Sequence, residues 1–410
     1  MYGGEAPRRW LQHPSPNGLF SNPTEIYYLL RTWGDDTMRI IPRSELTGLP
    51  KTVHGGQGWR LAGVEDFSQN LNPLGPPQDI GQIISDAVSE IGHYPDASND
   101  IPRGVISEYF GVGKDCVVMG AGSSEIIRNF PAAFAAPGDR ILMMRPSFAE
   151  YAQQCRIAGA SVEFMDLLPE NDYRIDAEEL SRRIRGTHYK AVYICNPNNP
   201  TGRIEPREKI LGIVRECEDL GTMVFLDETL LGLSADADDV SLTGYVGKFS
   251  NLIIADSLTK TFAIPGMRIG FGLSSPEIVS EMEKVQLPWN LGTVEQAVAA
   301  YLVGHRMDYP RRVAGELRTE SVRMHSALEE TGFPVGNLSD SFFYFVPTGV
   351  PGLTGAGMAA LMQEKGILIR DCASFGERFT GYIRYCVKDG ARNDRFLAAA
   401  QAVADGLRGR

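Results

Sequence analysis

The sequence has no long hydrophobic run and few cysteines. None of its apolar stretches reaches the roughly 18–20 residues that a bilayer-spanning helix needs, and its first 20 residues lack the apolar core of a secretion signal. We therefore expect a soluble, cytoplasmic protein without a membrane partner. The six cysteines among 410 residues are scattered, with no CxxC pair and no histidine cluster of zinc spacing, so we predict reduced, buried thiols and no metal site.

Positive charge is in the minority. The formal net charge is −11 and the sequence pI is about 5.2, whereas a protein that neutralises nucleic-acid or lipid phosphates needs a basic face. We expect no nucleic-acid partner, and a few local cations must hold any anionic ligand. With 43% hydrophobic and 22% charged residues, the chain can bury one large core or two unequal ones.

From about residue 115 onward, short apolar runs of strand length alternate with segments at helical spacing. The alternation predicts an α/β fold with a mostly parallel central sheet covered on both faces. Two later strand-like segments between helical ones predict a smaller α+β domain. The predicted strands are residues 116–119, 141–144, 191–195, 223–226 and 252–255 in the large domain, and residues 342–346 and 382–387 in the small domain.

These patterns divide the chain into four segments. Residues 1–50 form an arm of open role, rich in Pro, Gly, Arg and aromatic residues. Residues 51–95 are predicted to supply the N-terminal part of the small domain together with active-site residues. Residues 96–290 form the large domain, and residues 291–410 form the C-terminal small domain.

A lysine follows the last predicted strand of the large domain, in the segment SLTKTFAIPGMR (residues 257–268). In this otherwise apolar segment, desolvation would lower the pKa of Lys260 and make its amine nucleophilic. Lys260 is therefore a candidate for a Schiff base with a carbonyl compound. A solvated loop lysine is the alternative.

Polar residues also follow two other predicted strands. The segment NPNNPTG (residues 196–202) follows strand 191–195, and Asp227 with Glu228 ends strand 223–226. Open α/β sheets bind ligands at this edge. An acid deep in an apolar strand needs a cationic partner, and a protonated pyridine nitrogen would serve. A Pro/Asn turn and a helix cap are the alternatives for the two segments.

The segment GAGSSE (residues 120–125) joins a predicted strand to a predicted helix. Backbone N–H groups and hydroxyls at a helix N-terminus would face a phosphate there. Alone this signal is weak. The order along the chain strengthens it, because the phosphate cup, Asn199, Asp227, Lys260 and Arg268 each follow their own strand at one edge of the sheet.

This ordered set resembles the fold-type I pyridoxal 5′-phosphate (PLP) enzymes, in the class that contains histidinol-phosphate aminotransferase, over nearly everything after residue 50. NPxNPTG and SLTK…R carry the resemblance. Within the class, the chain looks most like the threonine-phosphate decarboxylases. That likeness depends on HGG (54–56), NLNPLG (70–75), YPD (94–96), FAEY (148–151), LTK with AIPG (258–266), LPW (287–289), ILIRDC (367–372) and YIR (382–384).

The resemblance implies PLP as the cofactor and a role for each matching residue. The catalytic residues would be Lys260, which holds PLP covalently, and Asp227, which pairs with the pyridine nitrogen. Asn199 would donate to the 3-oxygen of the ring, and Phe148 would stack on its face. The cofactor phosphate would be held by Gly122, Ser123, Ser124, Ser257 and Arg268, and by Tyr94 of a neighbouring subunit, which makes a homodimer part of the prediction.

The resemblance also implies a phosphorylated amino acid as the substrate. Arg384 would take its carboxylate and Arg370 its phosphate, with His54 and Asn72 as further substrate-binding residues. Arg370 could instead form a structural ion pair with Asp371.

The implied reaction is decarboxylation of L-threonine O-3-phosphate to (R)-1-amino-2-propanol O-2-phosphate and CO2 in cobalamin biosynthesis. The alternatives are a histidinol-phosphate or related amino-acid aminotransferase, decarboxylation of L-serine O-phosphate, and a non-catalytic regulator built on a PLP fold. Such regulators carry a basic helix-turn-helix, a pattern that the arm lacks. The cofactor-binding residues alone do not distinguish decarboxylation from transamination.

Two positions depart from the family pattern. The tyrosine that many aminotransferases place three residues after the aspartate is Leu230 here, which mildly favours decarboxylation. The asparagine that precedes the phosphate cup in the family is Ala121.

Overall fold

The computed structural model of the chain describes residues 41–52, 55 and 58–408. Residues from Pro50 onward form one compact unit, and residues 41–49 are assigned to another. Within residues 41–49 the structure has a single 3-10 turn, Ser44–Leu46. Most of the predicted arm and the predicted substrate ligand His54 lie outside the described residues, so their roles stay predictions.

A seven-stranded sheet forms the centre of the larger part of this unit. The strands of the described residues are β1 Glu65–Asp66, β2 Val117–Ala121, β3 Arg140–Arg145, β4 Ser161–Asp166, β5 Ala191–Cys195, β6 Met223–Asp227, β7 Leu252–Ser257, β8 Ile269–Ser274, β9 Phe343–Pro347, β10 Ile367–Leu368, β11 Arg370–Asp371 and β12 Tyr382–Cys386. The order in the seven-stranded sheet is β2-β8-β7-β6-β5-β3-β4, and all neighbours are parallel except β8, which runs antiparallel to β2 and β7. This confirms the predicted mostly parallel sheet.

Helices cover both faces of this sheet. Phe225 and Ile253 face a buried cluster that includes Phe130, whereas Leu226 and Ile254 face a second cluster on the opposite side. Burial on both faces explains why the strands are almost continuously apolar. The helices are α1 Ile80–Val88, α2 Asp100–Phe110, α3 Ser123–Phe134, α4 Ala149–Ile157, α5 Ala177–Gly186, α6 Arg207–Asp219, α7 Ala237–Val240, α8 Leu258–Thr261, α9 Pro276–Val285, α10 Thr293–His305, α11 Asp308–Thr331, α12 Gly355–Glu364 and α13 Gly390–Arg408.

Strand β8 escaped the sequence prediction because glycines interrupt its apolar pattern. A Cβ on Gly270 would lie 2.4 Å from the backbone nitrogen of Ser123, and one on Gly272 would lie 2.9 Å from a methyl carbon of Val118. Glycine in a strand usually weakens it, but here it allows helix α3 and strand β2 to approach β8 closely. This close approach brings the N-terminus of α3 to the edge of the sheet.

A third hydrophobic cluster, distinct from the two that flank the large sheet, holds the smaller part of the unit together. Strands β11, β12 and β9 form an antiparallel sheet in that order, and β1 pairs in parallel with β10. Phe67, just after β1, is buried in this cluster with Phe396 of α13. The predicted strands 342–346 and 382–387 are confirmed as β9 and β12, while the boundaries of the predicted domains stay predictions.

All six cysteines are free and buried, as predicted. None of the helices within the described residues combines the length and apolar character that a bilayer crossing requires. The same residues contain no group of three or more His, Cys, Asp or Glu side chains placed to hold a metal ion.

Candidate active site

A cavity of about 770 Å³ opens at the carboxyl edge of the large sheet and extends to β11 and β12. Its size lies in the range of small-molecule and cofactor sites. Most of the predicted site residues line it together, although they come from distant parts of the chain. They are Ser123, Ser124, Phe148, Asn199, Asp227, Lys260, Arg268, Arg370 and Arg384.

Lys260 lies in the short helix α8, directly after β7. Burial and, to a smaller extent, the nearby cations Arg268 and Arg384 lower the pKa of its amine to about 8, against the opposing effect of the Asp227 carboxylate. An amine with this pKa is partly unprotonated near neutral pH, which is the form that attacks a carbonyl carbon. The local chemistry therefore fits the nucleophile that the sequence predicts.

Asp227 ends β6, the strand beside β7, and is buried. Burial raises the pKa of its carboxyl group, while hydrogen bonds from Tyr151 and Thr229 lower it. The Tyr151 hydroxyl donates to Oδ2 over 2.6 Å, and the backbone N–H of Thr229 donates to Oδ1 over 2.9 Å. The carboxylate is thus held from both sides. The sequence predicts no role for Tyr151 beyond its place in the FAEY motif.

Arg384 is buried, at 8% exposure, and connects three segments. Its Nη1 donates to Oδ1 of Asn199 over 2.5 Å, and its Nη2 donates to the carbonyl of Ser68 over 2.7 Å. Its buried Nε has no hydrogen-bond partner within the described part of the chain. Because Oδ1 of Asn199 accepts from Arg384, the group that Asn199 can offer a ring oxygen is its Nδ2 donor.

Arg370 stands directly opposite Arg384 in the antiparallel pair of β11 and β12. Like charges in this position repel, so the pair favours an anionic ligand. Nη2 of Arg370 donates to the hydroxyl of Ser374 over 2.8 Å. Asp371, the alternative partner for Arg370 in the sequence analysis, instead accepts from the backbone N–H of Ala373 over 3.1 Å.

The N-terminus of α3 forms the other end of the cavity. Gly122 precedes the helix with φ +76°, and a Cβ on it would lie 2.6 Å from Nη2 of Arg268, so only glycine fits. The same Nη2 lies 3.4 Å from the hydroxyl of Ser124. Arg128, one helical turn after Ser124, also lines the cavity and was not predicted.

Three predicted residues occupy other places. The Ser257 hydroxyl accepts from the backbone N–H of Thr259 and donates to the carbonyl of Ile269, and it does not line the cavity. The side chain of Tyr94 is 75% exposed and stacks on Trp289 with 4.5 Å between ring centroids, outside the cavity of its own chain.

Asn72 is the third: it does not line the cavity, and its predicted contact with substrate stays a prediction. Its Nδ2 donates to the carbonyl of Thr261 over 2.8 Å, and its backbone N–H donates to the carbonyl of Lys260 over 3.0 Å. Both hydrogen bonds hold the backbone of helix α8, which carries the lysine. Asn70 lines the cavity instead, and its amide is buried with neither atom hydrogen-bonded within the described residues.

These groups fit PLP. Buried polar atoms are normally hydrogen-bonded. Three groups at the cavity have no hydrogen-bond partner within the described residues: the Asn70 amide, the Thr229 hydroxyl and Nε of Arg384. A nucleophilic amine, a buried carboxylate, an aromatic ring and a cationic helix N-terminus complete the set of groups that the cofactor requires.

Most of the chain matches a known protein family. The model of the family "Aminotransferase class I and II" matches residues 62–399. The chain belongs to this family. Histidinol-phosphate aminotransferase 2 of Archaeoglobus fulgidus is 30% identical over 342 residues, which are 83% of this chain and 93% of that relative. A protein of Caldanaerobacter subterraneus subsp. tengcongensis, provisionally named threonine-phosphate decarboxylase, is 28% identical over 319 residues, or 78% and 84% of the two chains.

A solved structure shares the fold. Histidinol-phosphate aminotransferase from Sinorhizobium meliloti in complex with PLP superimposes with a TM-score of 0.79 at 20% identity, over 90% of this chain and 100% of that chain. The predicted fold-type I class is thereby confirmed, and family membership confirms PLP as the cofactor of this aminotransferase-family protein.

The environment of Lys260 predicts its reactivity. In cofactor-free protein, acylation of Lys260 should be half-maximal near pH 8, against about 10.4 for an ordinary lysine. Replacing Arg268 with Met removes a cation and should raise this midpoint, whereas Asp227→Asn removes an anion and should lower it. Peptide mass spectrometry across a pH series measures the midpoint. A midpoint near 10 in the unaltered protein would contradict the buried environment.

Proposed function

We propose that the protein decarboxylates L-threonine O-3-phosphate to (R)-1-amino-2-propanol O-2-phosphate and CO2, a reaction of cobalamin biosynthesis. The observation that carries the proposal is the facing pair Arg370 and Arg384, which lines one cavity with Lys260 and Asp227. Two cations on one side of a cofactor site suit a substrate with two separate anionic groups.

The two arginines differ in the ligand that each can accept. Nε of Arg384 is buried without a partner within the described residues, while its two Nη atoms already hold Asn199 and Ser68. A carboxylate can therefore bind at Nε without displacing an existing hydrogen bond. Arg370, supported by Ser374, is the less buried of the two arginines and suits the bulkier phosphate. The Asn70 amide offers a donor and an acceptor to the same substrate.

When bound, PLP supplies an electron sink for the pair released from a bond to the α-carbon of the substrate. Asp227 holds the pyridine end of the site, supported by Tyr151 and Thr229. Lys260, whose pKa is about 8, can accept and return a proton beside the α-carbon. Arg370 and Arg384 fix the two ends of the substrate, and the conformation they hold determines which α-carbon bond breaks.

Transamination is the second candidate. The matching family is named for aminotransferases, and the relative from Archaeoglobus fulgidus carries the name of a histidinol-phosphate aminotransferase. The same lysine, aspartate and arginines serve that reaction, with a dicarboxylate such as 2-oxoglutarate as the amino acceptor.

Substrate turnover distinguishes the two candidates. With L-threonine O-3-phosphate as the substrate, we expect CO2 release at the same rate with and without 2-oxoglutarate, and one amine product per CO2. Trapped CO2 and product mass spectrometry measure this. Loss of the substrate amine that requires 2-oxoglutarate and releases no CO2 would reject decarboxylation in favour of transamination. L-serine O-phosphate, which lacks one methyl group, should be a weaker substrate by roughly 10-fold or more.

Arg370 should determine the preference for a phosphorylated substrate. In Arg370→Met, we expect KM for L-threonine O-3-phosphate to rise by about 10–100-fold, because charge-assisted hydrogen bonds are lost, while weak turnover of unphosphorylated L-threonine stays constant. Arg395→Met, which removes a surface arginine paired with Glu65, is the matched control. An equal loss for both substrates would argue against a phosphate contact at Arg370.

We also propose that the protein is a homodimer in which Tyr94 reaches the cofactor phosphate of the partner chain. Tyr94 is 75% exposed. Three large apolar residues are also exposed, namely Ile91, Ile101 and Leu287. Such apolar exposure favours a protein interface.

Sedimentation equilibrium should give twice the chain mass. Tyr94→Ala should weaken binding of PLP more than binding of pyridoxal, which lacks the phosphate. A monomer, or equal losses for the two ligands, would contradict the proposal.

A further inference from the structure

The hydroxyl of Tyr151 points at the carboxylate that serves the pyridine nitrogen. Tyr151 lies on α4 and is only 2% exposed. Its hydroxyl lies 2.6 Å from Oδ2 of Asp227, the short distance that is typical of an O–H donor to a carboxylate. No other hydrogen-bond donor contacts Oδ2 within the described residues.

A packing role explains the ring of Tyr151 but not its hydroxyl. The ring lies in an aromatic cluster with Phe148, Tyr193 and Phe225, at centroid distances of 5.6, 5.6 and 6.2 Å. Phenylalanine would pack there equally well. A buried hydroxyl is unfavourable unless it is hydrogen-bonded, and here the acceptor is a functional carboxylate.

We propose that Tyr151 is a positioning residue for the cofactor, whose phenol orients Asp227 and keeps it ionised for the pyridine nitrogen. With Thr229 on Oδ1 and Tyr151 on Oδ2, the carboxylate plane is held at both oxygens. Each oxygen retains a further lone pair for the ring N–H.

The electrostatics agree with this geometry. Burial raises the pKa of Asp227, and the hydrogen bond from Tyr151 counteracts that shift by favouring the ionised form. Burial, together with the Asp227 charge, raises the pKa of Tyr151 well above its usual value, so the phenol stays protonated and remains the donor. The inference concerns cofactor binding and holds whichever reaction the enzyme catalyses.

Tyr193 provides a matched control. It is also fully buried, belongs to the same cluster, and its hydroxyl lies 3.3 Å from the thiol of Cys155, with no contact to Asp227. Tyr193→Phe therefore removes one buried hydroxyl from the same core, as Tyr151→Phe does, without touching the carboxylate.

The experiment compares two ligands in the full-length protein. For each variant, the equilibrium affinity is measured for PLP and for its deaza analogue. The analogue has a C–H in place of the ring nitrogen. We expect Tyr151→Phe to weaken PLP binding by about 10-fold, the value of one charge-assisted hydrogen bond, and to leave binding of the analogue within about twofold. Tyr193→Phe should leave both affinities within about twofold.

Equal losses for PLP and the analogue, or the same loss in Tyr193→Phe, would reduce Tyr151 to a packing residue and overturn the proposal. So would unchanged PLP affinity in Tyr151→Phe. The same comparison of ligands in an Asp227→Asn background is an independent test. There, adding Tyr151→Phe should cause no further ligand-specific loss, and a further loss for PLP alone would reject the link between the two residues.

Discussion

A buried carboxylate and a partly buried amine lie at the ends of neighbouring strands, and the site is built around them. Asp227 ends β6, and Lys260 follows β7. Burial disfavours the ionised form of each group. Each favours the charged form of the other, and the donors on Asp227 add support to the carboxylate. The sheet thereby holds a reactive amine near neutral pH beside a carboxylate that can bind a ring cation.

Arg384 extends this arrangement to the smaller part of the protein. It lies on β12, yet it donates to Asn199 after β5 and to Ser68 after β1, so a single guanidinium joins three segments that are far apart in sequence. Its two Nη atoms are held before any substrate arrives, and its Nε faces no partner within the described residues. A preorganised donor of this kind gives affinity at low entropic cost.

Residues that follow apolar strands could be predicted from sequence, because a polar group at a strand end is visible in the pattern itself. Lys260, Asp227 and Asn199 are of this kind. Tyr151 was missed because its role depends on a contact with Asp227, which is 76 residues away in sequence. The choice of Asn72 over Asn70 shows the same limit, since two amides two residues apart look alike until the packing shows which one faces the cavity. Strand β8 was missed because its close contact with α3 requires glycines, which resemble a loop.

The residues around the cofactor serve decarboxylation and transamination equally. We propose that the two reactions are distinguished at the pair of arginines on β11 and β12, which would orient the substrate. Bound anions would relieve their repulsion, so under the proposed function a substrate with an anion at each end gains at both positions. The register of the strand pair places the backbone positions of the two arginines directly opposite each other. A substrate held at both ends has its torsion about the N–Cα bond fixed, and that torsion determines which bond is aligned to break. Under the proposed function, recognition of the substrate and choice of the reaction therefore depend on the same two side chains.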